Sequence, residues 1–260
     1  MNSTPLIIGH RGSSALAPEN TLAAFRRAFR DGADGIEFDV RLARDGVPVV
    51  LHDATLKRTG LRDEAIISLN SSELGEVDAG TWFNLRHPQR ARAEYANERV
   101  PTLARVFELF GTNENLLYVE MKCAAEESAA LTAAVASLVR THNLFDRVVV
   151  KSFLHSSILE IKQIEPRIKT AALFEPKLAR PLPSTRRMIQ QTLSCKADEI
   201  SLHRSLVSKR VVAEAHRHKL QTVVWTVDAP GWIRRAQALG IHAIITNNPA
   251  PMISRRASGD

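Results

Sequence analysis

Seven polar side chains interrupt otherwise apolar runs, and their types suggest metal and acid–base chemistry. His10 and Arg11 follow Leu6–Gly9, Glu37 and Asp39 lie within Gly35–Leu42, His52 follows Val49-Val50-Leu51, and Glu120 and Lys122 end the run that starts at Leu116. Taken singly each has a plain reading: a histidine after a strand can be a surface residue, and a buried acid can be half of an ion pair with Arg11 or Lys122. Together they read differently. Residues i and i+2 of a strand share a face, so Glu37 and Asp39 project the same way, and Glu120 at the end of the next parallel strand can join them. Three converging carboxylates repel one another unless protons, cationic side chains or a metal neutralise them. An all-oxygen set suits one hard divalent ion (Mg²⁺ or Ca²⁺, with Mn²⁺ a further option) better than zinc. His10 and His52 can serve as general acid and base near neutral pH, while Arg11 and Lys122 add fixed positive charge for an anionic substrate. A metal, two histidines and two cations are the parts that hydrolysis of a phosphodiester calls for.

Short strands must carry these groups. Candidates are Leu6–Gly9, Gly35–Leu42, Val47–Leu51, Leu116–Met121, Val148–Ser152, Thr170–Phe174, Glu199–Leu202, Thr222–Val227 and Ala243–Thr246. Their β-branched runs suit strands buried on both faces of a parallel sheet. Helical patterns lie between them: Thr21–Arg30, with Asn20 as the expected cap and Gly32 as the stop, then Glu126–Arg140, Ser156–Ile164, Val207–His218 and Gly231–Leu239. Periodicity alone leaves a doubly wound sheet and a closed barrel both open. With Val47–Leu51 set aside as a hairpin extension, eight strands remain, and eight favours a (β/α)8 barrel with catalytic groups at the C-terminal strand ends. From about Asp53 to Arg99 no βα unit is legible, and the stretch is read as an insertion over the barrel mouth, held by Trp82 and Phe83. The chain is thus expected to be a single domain over residues 1–260, with Ser254–Asp260 a frayed tail.

These residues also carry a resemblance. The run HRGSSALAPENTLAAFRRAFRDGADGIEFDVRLARDGVPVVLHDATLKRTG, His10 to Gly60, resembles the N-terminal signature of the glycerophosphodiester phosphodiesterase family. The likeness continues in DAGTWF, VPTLARVFEL, YVEMK, the Ser152-Phe153 pair and VVWTVD, densely at first and thinly after Phe153. It implies a TIM barrel with a small insertion after the second strand. It also implies that His10 and His52 are the acid–base pair, that Glu37, Asp39 and Glu120 bind one divalent metal, and that Arg11 and Lys122 hold the phosphate. The implied substrates are glycerophosphodiesters such as glycerophosphocholine or glycerophosphoethanolamine. They would be cleaved to sn-glycerol 3-phosphate and an alcohol, with the neighbouring glycerol hydroxyl as internal nucleophile through a cyclic phosphate. Three positions depart from the family pattern: Lys57 stands where an acidic residue is common, Asn247 where Asp is usual, and Asp228 where Asn is frequent. They bear on which alcohol is preferred.

Composition excludes several classes. The chain has 260 residues, 44% hydrophobic and 24% charged, with a formal net charge of +7. Its basic residues are scattered and not interleaved with aromatics, so a small anionic substrate fits the charge better than nucleic acid. Cys123 and Cys195 form neither a disulfide framework nor a zinc site, and no apolar run approaches the roughly 18 residues of a membrane span. The N-terminus lacks a signal-peptide pattern, so a cytoplasmic location is expected. Trp225 either lines the pocket and packs on glycerol carbons or fills the barrel core. Asp53 either orients His52 or caps the next turn. His155, His203, His216, His218 and His242 read as surface or satisfied histidines, and no Ser-His-Asp arrangement accompanies Ser13 or Ser14. Two other functions stay in view. One is a phospholipase D-like action on lysophospholipids or sphingomyelin, for which the insertion is unusually charged, and the other is a non-catalytic phosphate-ester-binding barrel.

Overall fold

Runs of valine and isoleucine bounded by glycine or charged residues form strands because branched side chains pack well on a pleat and tolerate burial on both faces. A computed structural model describes residues 4–112, 114–176 and 181–258. Among the described residues nine strands form one sheet: β1 Leu6–His10, β2 Gly35–Leu42, β3 Pro48–Val50, β4 Leu116–Met121, β5 Val148–Ser152, β6 Lys169–Phe174, β7 Glu199–His203, β8 Gln221–Trp225 and β9 Ala243–Thr246. All but β3 pair in parallel around the sheet, and β1 pairs with both β2 and β9, which closes an eight-stranded barrel. The doubly wound alternative gives way to the barrel. β3 runs antiparallel on β2, as the hairpin reading anticipates.

The helices are α1 Leu22–Arg30, α2 Ser71–Leu74, α3 Thr81–Arg86, α4 Leu103–Phe110, α5 Ser128–Thr141, α6 His155–Ile164, α7 Thr185–Ser194, α8 Lys209–Arg217, α9 Trp232–Leu239 and α10 Pro249–Ser258. Their apolar faces pack on the outside of the strands in two large clusters, one around Phe25, Phe38 and Phe107 and one around Ile200, Val211 and Ile244. A third cluster, with Ile8, Tyr118, Val149, Ala171, Val223 and Ile245, fills the barrel itself. Among the described residues no helix is long and apolar enough to cross a membrane.

Several expected boundaries move. Thr21, not Asn20, caps α1: its hydroxyl accepts from Ala24 N at 3.3 Å, while Asn20 takes a left-handed φ of 59°. That conformation turns the Asn20 side chain away from the helix and toward β2. The Glu126–Arg140 segment begins as a 3-10 turn at Ala125–Glu127 and becomes α-helical at Ser128. Ser208 caps α8, so the helix starts two residues after Val207, and β8 stops at Trp225, short of Val227. The supposed frayed tail is helical to Ser258, because Met252 is buried and Arg256 pairs with Asp34; residues 259 and 260 lie outside the described residues. Helices α4, α7 and α10 are additions to the sequence reading. The stretch from Asp53 to Arg99 holds only short helical turns, and it buries Trp82, Phe83 and Tyr95 against Ala17 and Ala24 of the β1–α1 region.

Candidate active site

Register places the polar residues beside one another. Parallel pairing sets His10 next to Glu37, Asp39 next to Glu120, and Glu120 next to Lys151. The result is a polar band across β1, β2, β4 and β5, near the ends of the strands where barrel enzymes keep their chemistry.

Glu37, Asp39 and Glu120 are buried, and one carboxylate oxygen of each lies within 4.8 Å of the others. Each acid has a cation at hand. Lys151, itself buried, places its ammonium 2.8 Å from Glu37 and 3.5 Å from Glu120. Arg11 Nε stands 3.1 Å from Asp39, and Lys122 lies 3.4 Å from Asp39 and bonds Glu120. Burial works against ionisation of Asp39, yet Arg11 and Lys122 hold its carboxyl far below the usual range. Glu37 is likewise held low, mainly by Lys151 against the cost of burial. Glu120 goes the other way. Burial, with repulsion from Asp39 and Glu37, pushes its carboxyl up to about 7 despite Lys151 and Lys122.

The turn after β1 brings Arg11 over this band. Arg11 and Gly12 both take left-handed backbone, with φ of 52° and 82°. A Cβ on Gly12 would come 2.5 Å from the Ala24 carbonyl carbon, so only glycine fits. For Arg11 that conformation is strained, and it is pinned by its N–H donating to Glu37 at 3.3 Å and its guanidinium donating to Glu19 at 2.7 Å. Asn20 braces the same corner, donating to the Asp39 carboxylate at 3.0 Å and accepting from Asp39 N at 3.3 Å.

The two histidines have different backing. His10 Nδ1 lies 2.7 Å from the Asn247 amide oxygen, and its Nε2 is 3.9 Å from Glu37. Burial, helped by Arg11, lowers the His10 pKa against the pull of Glu37. His52 Nδ1 lies 2.6 Å from the Asp53 carboxylate. Of the two readings open for Asp53, orienting His52 is the one its geometry matches. Arg58 then ties Asp53 to Glu19, donating to Asp53 at 2.6 Å and to Glu19 at 2.7 and 2.8 Å. Arg41 secures the neighbouring loops by donating to the His52 carbonyl at 2.8 Å.

Trp225 stands at the top of the interior cluster, half-buried, with edge-on contacts to Phe153 at 5.7 Å and His203 at 5.4 Å. His203, a satisfied histidine with Nδ1 2.7 Å from the Ser205 hydroxyl, thus also borders the barrel mouth. His155, His216 and His218 have local partners in the Leu173 carbonyl, the Gly240 carbonyl and Glu214. Lys57 is exposed. The structure thus brings all seven expected residues together, and adds Glu19, Asn20, Arg58, Lys151 and Asn247. The signal for Lys151 was present as a lone lysine closing Val148-Val149-Val150, a charge where a doubly buried strand has no room for one.

Known proteins can be set against this geometry. A model of the glycerophosphoryl diester phosphodiesterase family matches residues 10–251. The chain belongs to this family. A glycerophosphodiester phosphodiesterase of Caldanaerobacter subterraneus is 33% identical over 251 residues, covering 96% of each chain, and one of Bacillus subtilis is 27% identical over 94% of this chain and 84% of its own. Among solved structures, an Oleispira antarctica phosphodiesterase in complex with the product sn-glycerol-3-phosphate aligns with a TM-score of 0.84 at 25% identity, over 97% of this chain and 96% of its own. A glycerophosphodiester phosphodiesterase from Agrobacterium tumefaciens aligns with a TM-score of 0.78 at 26% identity, over 96% of this chain and 99% of its own. In this member of the glycerophosphoryl diester phosphodiesterase family, Glu37, Asp39 and Glu120 are three buried oxygen donors that could hold a metal ion. A set with no nitrogen or sulfur fits a hard divalent cation.

Proposed function

We propose that this chain hydrolyses glycerophosphodiesters, such as glycerophosphocholine or glycerophosphoethanolamine, to sn-glycerol 3-phosphate and an alcohol. The observation that carries this reading is the meeting of His10, His52, Arg11, Lys122 and three buried carboxylates at one end of a barrel. The barrel matches, over nearly its whole length, one that binds sn-glycerol-3-phosphate as product. Glu37, Asp39 and Glu120 would hold Mg²⁺, Ca²⁺ or Mn²⁺, and that ion would offset charge on the phosphate's non-bridging oxygens. Arg11 and Lys122, each already beside Asp39, border the place where those oxygens would sit and add fixed positive charge. One histidine takes the proton from the attacking oxygen and the other returns a proton to the departing alkoxide. Both rings are backed at Nδ1, by Asn247 and by Asp53, which leaves Nε2 as the working atom on each. Trp225, half-buried beside Phe153 and His203, would pack on the glycerol carbons. The whole chain acts as one barrel domain, with residues 53–99 an insertion that supplies Arg58.

The test is release of glycerol 3-phosphate from several headgroup diesters with Mg²⁺, Ca²⁺ and Mn²⁺ compared. Activity is expected to vanish on exhaustive chelation and return with one of the ions; full activity in chelator would sink the metal role. His10→Ala and His52→Ala are each expected to lower kcat by about two orders of magnitude or more. Near-normal turnover in both would discard the acid–base pair.

One feature favours a second reading, action on lysophospholipids. A cleft of about 470 Å³ lined by Phe153, Leu173, Phe174 and Leu182, with Glu175 and Arg187 at its polar side, shares Phe153 with the site and offers an apolar wall to a longer alcohol. A lysolipid assayed beside glycerophosphocholine separates the two.

A further inference from the structure

Asp228 and Asn247, near the last strands of the barrel, stand together behind His10. Asn247 donates to Asp228 twice, from its backbone N at 2.7 Å and from Nδ2 at 2.8 Å, and Thr246 Oγ1 donates to the same carboxylate at 2.9 Å. An ionised carboxylate only accepts, so it dictates which end of the Asn247 amide faces it. Nδ2 must turn toward Asp228, and Oδ1 must turn toward His10 and Ser14, 2.7 and 3.0 Å away. An amide oxygen carries no proton. The proton between Asn247 and His10 therefore belongs to Nδ1 of the ring, and the lone pair of the neutral imidazole lies on Nε2, on the side of Glu37. Were the amide turned over, its NH₂ would meet His10 Nδ1 and force the proton onto Nε2, while its oxygen would sit against the Asp228 carboxylate.

We propose that Asp228 and Asn247 are a paired positioning device that holds His10 in the Nδ1–H tautomer and keeps Nε2 free to exchange a proton with the substrate. Asp228 acts through Asn247 without touching the ring. The proposal rests on the reading of His10 as a proton-transfer residue. A carboxylate at position 247 can likewise accept from Nδ1–H, and an amide at position 228 can donate to it. The pair is exchangeable as a unit but not singly. Asn247→Asp alone sets two carboxylates within hydrogen-bond distance, and Asp228→Asn alone removes the group that fixes the amide.

Both predictions are read on the whole chain. Nitrogen-15 spectra of imidazole-labelled, metal-free protein, with the His10 signals assigned through His10→Gln, should show a protonated Nδ1 and an unprotonated Nε2 for the neutral ring. A dominant Nε2–H form would overturn the proposal. In turnover, Asn247→Asp and Asp228→Asn should each lower kcat roughly tenfold or more with KM little changed, since the proton-transfer ring loses the partner that fixes its tautomer. The double exchange Asp228→Asn/Asn247→Asp should recover to within about threefold of the parent. A folded double variant as slow as Asn247→Asp would overturn the proposal, as would single variants with full kcat. Full turnover in His10→Gln would instead defeat the acid–base reading, and the nitrogen-15 result distinguishes that failure from this one.

Discussion

Glu120 sits on the border between its two charge states, because burial and two like-charged neighbours oppose two lysines. A metal ion takes the ionised form, so binding must displace the proton that Glu120 holds in part near neutrality. Where the carboxyl titrates at about 7, the ionised fraction rises about tenfold between pH 6 and pH 8. Affinity for Mg²⁺ or Mn²⁺ is therefore expected to rise about tenfold over that interval. Calorimetry in buffers of different ionisation enthalpy should also show proton release that fades toward pH 8. An affinity flat across the interval would remove Glu120 from the ligand set. The carboxylates themselves were legible as polar breaks in apolar strands. Their counter-ions were less so: Lys151 comes from a strand with no other polar group facing the band, and Asn20 has a composition equally suited to a cap. Only the left-handed turn at Asn20 decides between helix and β2 as its partner.

Elements here are defined by their ends more than by their middles. Every strand was visible as a short apolar run, often rich in valine or isoleucine, because burial on both faces leaves little alternative composition. Helix starts were harder, since Asn20 and Thr21 both qualify as caps and side-chain direction chooses. Thr21 is buried, accepts from Ala24 N and donates to the Pro18 carbonyl at 2.7 Å, so it ties α1 to the segment that precedes it. Thr21→Ala is expected to cost about 1 kcal/mol. For a chain of this size that is a fall in Tm of roughly 2–4 °C by calorimetry. A loss of less than about 0.3 kcal/mol would mean that the helix is held by packing alone. Helices α4 and α10 carry apolar faces that the sequence displays but that only docking on the barrel explains, as with buried Met252 of α10.

At the scale of the molecule the barrel interior is not uniformly apolar. Glu199 lies inside, buried, with Tyr118 donating to it at 3.3 Å, and burial pushes its carboxyl up to about 8. The folded state thus keeps a proton that the unfolded chain releases near pH 4.3, so stability falls as pH rises from about 4.3 to about 8. Glu199→Gln retains the shape and removes the titration. Its Tm is expected to match the parent at pH 4 and to exceed it by about 2 °C or more at pH 9. Equal midpoints at both values would show that Glu199 ionises freely in the folded state. Nothing in the sequence around Glu199 announced this, because a strand-initial glutamate usually faces water. The 53–99 stretch was legible as an interruption, whereas the link it makes through Arg58 to both Glu19 and Asp53 depends on three segments meeting in space.

Every buried acid of the triad already has a basic side chain against it: Lys151 for Glu37, Arg11 for Asp39 and Lys122 for Glu120. A fold that relied on an imported ion to quiet three carboxylates could not close until that ion arrived. This one carries its own compensation, so closure of the barrel is expected not to depend on an ion. The chain is expected to fold without the ion, and to keep its fold when one divalent ion is exchanged for another.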